Sequence, residues 1–183
     1  LGAPGDRRDK EGNLWFDFPS VGGPGPKINI ETEPAKPERF IQHTSLVRKD
    51  DDDWLGAPNW VGASGVIGVR KVRVPLKLAD TKTFTRVSVT LVFGLPPGET
   101  RDTDPRIFAI SINGETVQSE FNLNKATLGP TGFKAPIGWG TRAAQVSTSV
   151  SLPKGENEIE ITLTPQDGGR ETVLSGIEIS VKN

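Results

Sequence analysis

Arg106-Ile107-Phe108-Ala109-Ile110-Ser111-Ile112-Asn113-Gly114 is followed by Val117, Phe121 and Leu123. Phe108, Ile110 and Ile112 share one parity. A strand turns alternate side chains to opposite faces, so this run reads as a half-buried strand. Asn113-Gly114 ends it, because both residues tolerate the positive φ that a two-residue hairpin turn needs at its centre. The same alternation recurs on both sides of the hairpin. Val72, Val74, Leu76 and Leu78 alternate with Arg73, Pro75 and Lys77. Val87, Val89, Leu91 and Phe93 alternate with Arg86, Ser88 and Thr90, and only Val92 breaks the pattern. Ile159, Ile161 and Leu163, then Ile177, Ile179 and Val181, repeat it near the C-terminus. Each strand thus has one apolar and one polar face. Two antiparallel sheets packed face to face bury such strands, whereas a parallel sheet asks for apolar residues at both parities. The expectation is an all-β fold, a two-sheet antiparallel β-sandwich, with helix nearly absent.

Residues 1–39 differ in texture. Gly22-Gly23-Pro24-Gly25-Pro26 and Glu33-Pro34-Ala35-Lys36-Pro37 interrupt any ladder, because proline lacks the N–H and fixes φ. Yet Leu14-Trp15-Phe16-Asp17-Phe18 concentrates aromatics, which disordered linkers lack. The segment therefore reads as an ordered N-terminal arm that packs on the sandwich, with an edge strand over Lys27 to Ile30. The sandwich domain itself spans 40–183.

Charge excludes one class of partner. The 22 basic and 23 acidic residues leave a net charge of −1, and the one basic cluster, Arg70-Lys71-Val72-Arg73, alternates with valine as a solvated strand face does. Nucleic acid is therefore not an expected partner. No apolar run reaches the roughly 20 residues of a membrane span. Cysteine is absent, which removes thiolate chemistry and zinc–thiolate sites. Methionine is absent even at position 1, so the chain reads as a processed product or an excised piece of something longer, and the start Leu1-Gly2-Ala3-Pro4-Gly5, with no signal-like apolar core, favours the piece.

From Thr83 to Val181 the segments resemble, in order, those of the malectin and malectin-like carbohydrate-binding family. Phe84 to Phe93 is similar to the family's strand that ends in an apolar-Phe-Ala/Gly element. Arg106 to Gly114 resembles its R-x-F-x-V-x-I-N-G hairpin, and Phe121-Asn122-Leu123 its F-D-I. Ile159 to Pro165 and Leu174-Ser175-Gly176-Ile177-Glu178-Ile179 resemble its L-x-I-x-L-x-P and L-S-G-I-E-I ending. The resemblance implies a galactose-binding-like jelly-roll sandwich. It also implies a sugar site built from loops at one end, with loop aromatics and a late aspartate, a position that Asp167 matches. This chain departs from that pattern in the loop Gly94-Leu95-Pro96-Pro97-Gly98-Glu99, which has no aromatic residue, and it contains no tyrosine. Gly2 to Arg8, Leu14-Trp15-Phe16 and Trp60 to Val66 are similar to C-terminal regions of planctomycete-type quinoprotein-like β-propeller proteins. That likeness implies a terminal module of an exported, extracytoplasmic multidomain protein.

The residues themselves offer little catalytic chemistry. A Ser-His-Asp triad would need His43, the single histidine, which lies in the strand-like run Phe40 to Val47. Paired carboxylates such as Asp102 with Asp104 sit in turn-like, charged contexts, without the apolar pocket that raises a general acid. Asp50, Asp51, Asp52 and Asp53 form a run that either holds a structural Ca²⁺ or is a solvated loop. Trp54, Trp60 and Trp139 lie in Gly/Pro-flanked, loop-like contexts, where indole faces can stack on the C–H faces of sugars. Two functions follow. One is a non-catalytic carbohydrate-binding-like module using Trp54, Trp60, Trp139 and Asp167. The other is a structural or protein-interaction domain without a sugar site, docking on other domains of its parent chain.

Overall fold

The hairpin at Asn113-Gly114 forms as its sequence dictates. Strands β8 (Ile107–Ile112) and β9 (Glu115–Asn122) pair antiparallel, and both turn residues have positive φ, 49° and 79°. The structure is a computed structural model that describes residues 1–2, 5–9, 12–20, 28–43, 59–76, 85–99, 104–127, 143–153, 155–166 and 169–181. The remaining strands are β1 (Arg7–Arg8), β2 (Leu14–Trp15), β3 (Glu31–Glu33), β4 (Glu38–Ile41), β5 (Ser64–Ile67), β6 (Lys71–Pro75) and β7 (Thr85–Phe93) in the N-terminal half. β10 (Ala144–Leu152), β11 (Glu158–Pro165), β12 (Val173–Leu174) and β13 (Gly176–Val181) complete the set. Among the described residues two helical turns join them, α1 (Asn59–Gly62) and α2 (Leu123–Ala126).

A five-stranded sheet, β3-β6-β11-β8-β9, faces a three-stranded sheet, β10-β7-β13. A second three-stranded sheet, β12-β5-β4, adjoins them, and β1 and β2 form a two-stranded ribbon of their own. Every described pairing is antiparallel. The core takes one parity from each strand. Val72, Val74, Phe108, Ile110, Ile112, Ile159, Ile161 and Leu163 come from one sheet, and Val87, Val89, Leu91 and Phe93 from the other. Phe93 sits 4.8 Å from Phe121 and 5.7 Å from Phe108, ring centre to ring centre, which ties the sheets together. The chain is a β-sandwich.

Val92, the exception to the alternation, is fully buried on the opposite face of β7. What covers it is α1 and the segment before β3. A Cβ on Gly176, which pairs with Val92, would lie 2.4 Å from Val61 Cγ1 and 3.2 Å from Trp15 Cζ3. The Leu174-Ser175-Gly176 signature gains its physical reason here. Leu174 ends β12, Gly176 begins β13, and Ser175 is where the chain passes from one sheet to the next. Buried Ser175 donates its N–H to Val92 O at 2.8 Å and accepts from Gly94 N–H at 3.0 Å on its hydroxyl. Leu1 N donates to Ser175 O at 2.7 Å, and Ser64 Oγ donates to Leu1 O at 2.9 Å.

Three element boundaries differ from the sequence expectation. The edge strand is Glu31–Glu33, not Lys27 to Ile30, because Ile30 N–H turns back to Ile28 O at 3.0 Å and leaves the ladder to begin at Glu31; Lys27 lies outside the described residues. β4 stops at Ile41, since Gln42 N–H is taken by Ala63 O at 2.8 Å, and exposed His43 follows the strand. Leu123 opens a helical turn instead of extending β9, because the Asn122 side chain caps it by accepting from Lys125 N–H at 3.0 Å.

The polar face of the five-stranded sheet carries its own ion cluster. Arg73 Nε donates to Glu160 Oε2 at 3.0 Å, Lys71 Nζ lies 3.3 Å from the same oxygen, and Arg73 also reaches Glu31 and Glu33. The hydrogen bond from Arg73, aided by Lys71, holds the Glu160 carboxyl below its ordinary value of 4.5. A lowered folded pKa stabilises the fold above the unfolded value, and that stability is lost as pH falls through the folded one. Thermal melts of Glu160→Gln between pH 3 and pH 7 should therefore lose less on acidification than those of the parent chain.

Candidate functional site

A cleft of about 810 Å³ opens between the β7–β8 loop, the β11–β12 loop and strands β4 and β5. The cleft is open to solvent over much of its surface. Its walls are built by local sequence. After Phe93 the chain reads Pro96-Pro97-Gly98-Glu99, in which Glu99 N–H bonds Pro96 O at 3.2 Å and Gly98 takes φ 79°. Proline at the second position and a positive φ at the third are the requirements of a type II turn. The turn sends the Glu99 side chain inward, where only 9% of it is exposed.

Arg106 meets it there. Arg106 precedes β8, and 4% of its side chain is exposed. Its Nε donates to Glu99 Oε2 at 2.8 Å and its Nη2 to Glu99 Oε1 at 2.5 Å, a two-pronged pair. Its Nη1 donates to the Glu171 carbonyl, and its own backbone N–H donates to buried Asn124 Oδ1 at 2.8 Å. The guanidinium thereby holds both loops of the cleft in one place. Arg170, on the far loop, adds a third contact, Nη2 to Glu99 Oε1 at 3.0 Å, while its side chain stays 39% exposed.

The same cleft has an apolar wall. Phe40, Ile41 and Ile67 come from β4 and β5, with Pro96 and Pro97 opposite, and Arg39, Arg170, Glu38 and Glu171 supply charge among them. Phe40 is buried, but Ile41 is 58% exposed, a large fraction for an isoleucine. Gln42 Nε2 donates to Leu95 O at 3.0 Å and ties the end of β4 to the β7–β8 loop. The arrangement presents C–H surface beside donors and acceptors held on rigid supports, which is what recognition of a ligand with both apolar and hydroxylated faces needs. Among the described residues no group of three or more His, Cys, Asp or Glu side chains is placed to hold a metal.

Of the residues the sequence nominates, only Trp60 is described. It lies in α1 instead of a loop and is half-buried. Its ring stands edge-on to Trp15, at 5.8 Å and 81°, and the Arg7 guanidinium sits 5.5 Å above it. Trp15 Nε1 in turn donates to Asp9 Oδ2 at 3.0 Å. Trp60 does not line the cleft. Trp54, Trp139, Asp167 and the run Asp50, Asp51, Asp52, Asp53 lie outside the described residues. The segment just after Asp167, Gly169 to Glu171, does line the cleft. Glu99, Arg106 and Arg170 are not nominated by sequence reasoning. The available signal was an arginine at the head of the hairpin motif together with an acid closing a Pro-Pro-Gly turn.

No family model matches the chain, and no curated protein matches it in sequence. Solved structures do share its fold. The ANX2 ectodomain from Arabidopsis thaliana superposes with a TM-score of 0.61 at 16% identity, over 97% of this chain and 48% of that one. The ANXUR1 extracellular domain from Arabidopsis thaliana gives 0.55 at 17% identity, over 99% and 40%. Bacteroides uniformis beta-glucuronidase gives 0.56 at 14% identity, over 96% of this chain but 16% of the enzyme. This chain therefore spans less than half the length of each. Among the described residues no helix is long and apolar enough to cross a membrane.

Proposed function

We propose that this chain is a non-catalytic binding module that takes an oligosaccharide in the cleft between the β7–β8 and β11–β12 loops. The observation that carries the reading is the buried Glu99–Arg106 pair, which fixes two loops around a part-apolar, part-charged opening at one end of the sandwich. Sugar rings would lay C–H faces on Ile41 and Pro97, with Arg39, Arg170, Glu38 and Glu171 bonding the hydroxyls. The malectin-like order of segments supports a sugar as ligand. The ectodomain neighbours support an extracytoplasmic setting within a larger, exported chain. The reading also includes a structural Ca²⁺ at Asp50 to Asp53, checked by whether a chelator lowers the melting temperature.

The exposed Ile41, and the burial of Phe40, the one aromatic among the described lining residues, favour a second reading, a protein segment of the parent chain docked in the same cleft. A glycan array followed by calorimetric titration separates the two. Under the sugar reading, a set of neutral and acidic oligosaccharides contains binders, and Arg170→Gln with Ile41→Ser weakens them about tenfold or more, roughly 1.4 kcal/mol, while the fold is kept. An array with no binder, read on a folded protein, rejects the sugar and leaves the docking segment.

A further inference from the structure

Four strands form the edges of the two main sheets among the described residues, and three of them are guarded. β3 is three residues long, carries Glu31 and Glu33 and runs into Pro34. β9 carries Glu115 and Glu120, and its register against β8 shifts twice, so its ladder is irregular. β13 carries exposed Glu178. Short length, charge and bulges are the devices by which edge strands avoid pairing with other chains.

β10 has none of them. It runs nine residues, Ala144-Gln145-Val146-Ser147-Thr148-Ser149-Val150-Ser151-Leu152, with no charge, no proline and no glycine. Its register to β7 is unbroken from Ala144 opposite Phe93 to Leu152 opposite Thr85. Its other side pairs with nothing among the described residues. The sequence is also symmetric, since Val146-Ser147-Thr148-Ser149-Val150 reads the same in both directions.

We propose that β10 is a homodimerisation edge, pairing antiparallel with β10 of a second copy about a two-fold axis at Thr148. Antiparallel pairing of a strand with itself is isologous, so each residue of the palindromic stretch Val146 to Val150 meets its own kind. Val146 faces the partner's Val150 on the core side, which continues the apolar layer of Leu91 and Val87 beside them. Ser147 faces the partner's Ser149 on the outer side, where cross-strand hydroxyl pairs are favourable. That outer row is already hydroxyl-rich, with Thr90 Oγ1 and Ser147 Oγ 2.9 Å apart. Charge does not oppose the pairing. Arg86 lies beside Ser151, which meets the partner's Gln145, so within Ala144 to Leu152 no like charges face each other across the axis. Two three-stranded sheets become one continuous sheet of six strands.

The test is mass in solution by light scattering or sedimentation. The chain at high micromolar concentration should show twice its 19.7 kDa mass. Ser147→Lys combined with Ser149→Lys changes two exposed positions and sets lysine against lysine across the axis, so the mass should halve. Ser147→Glu with Ser149→Glu should do the same, and mixing the Lys and Glu chains should restore the doubled mass. Far-UV circular dichroism confirms that each variant is folded, and recovery of the mixed dimer would itself show it. A single-chain mass for the parent protein, a dimer that survives the Lys pair, or folded variants that stay monomeric on mixing would each overturn the proposal.

Discussion

Gly94→Ala is expected to leave little or no folded protein. A Cβ at this position would lie 1.9 Å from Gly62 O and 2.8 Å from Gly62 C, both backbone atoms. Side chains can rotate away from such a contact, but a carbonyl held at the end of α1 cannot. Relief would require moving α1 away from β7, which exposes Val92 and Val61 and breaks the bond from Gly94 N–H to Ser175 Oγ. The cost is about 4 kcal/mol or more, which falls in the exceptional class of single substitutions and is a large share of a typical domain's stability. Gly98→Ala is the control. Nothing lies within 4 Å of its Cβ position, so only the positive φ is penalised, at about 1–2 kcal/mol. Soluble yield and the urea midpoint of the two variants measure the difference directly.

Arg106→Met has the next largest expected effect, a loss of about 3 kcal/mol, or roughly 6–12 °C in melting temperature for a chain of this length. Removing one member of a buried pair strands the other, and Glu99 would keep only Arg170, at 3.0 Å and partly in solvent. The Glu171 carbonyl also loses its donor. Adding Glu99→Met should return much of the stability, because an apolar replacement of both partners removes the stranded charge. The double variant should nevertheless bind ligand poorly, since the pair that positions the two loops is gone. Stability recovered without binding separates the support of the cleft from the stability of the sandwich. Recovery of both would mean that the pair does not shape the site.

The fold was legible where alternation was clean. Val72 with Val74, Ile159 with Ile161 and Leu163, and the Asn113-Gly114 turn each report a local backbone preference, and the strands follow them. Legibility failed where tertiary contacts overrule the local pattern. Val92 sits at a polar parity and is buried on a face where Val61 of α1 and Trp15 close over the neighbouring Gly176, which no window of sequence around Val92 reveals. Leu123 has the right parity for a strand, but Asn122 turns the chain into a helical cap first.

The site was less legible than the fold for a related reason. Tryptophan stands out in a sequence as a platform for sugars, yet Trp60 spends its ring on Trp15 and Arg7. The cleft is instead made by ordinary residues from four distant segments. Arg39 with Ile41, Ile67, Pro96 with Glu99, and Arg170 converge only once the sandwich has closed. The resemblance pointed to two of these loops, Gly94 to Glu99 and the one holding Asp167, but not to the side chains that line the cleft.

The most direct test of the cleft as the binding site is an amide shift titration with the tightest oligosaccharide from the array. Saturable shifts should concentrate at the amides of Arg39, Ile41, Ile67, Arg170 and Glu171, with the Trp60 indole resonance unmoved. Shifts at the Trp60 indole with the cleft amides unchanged, or no shift with any oligosaccharide tried, would contradict it.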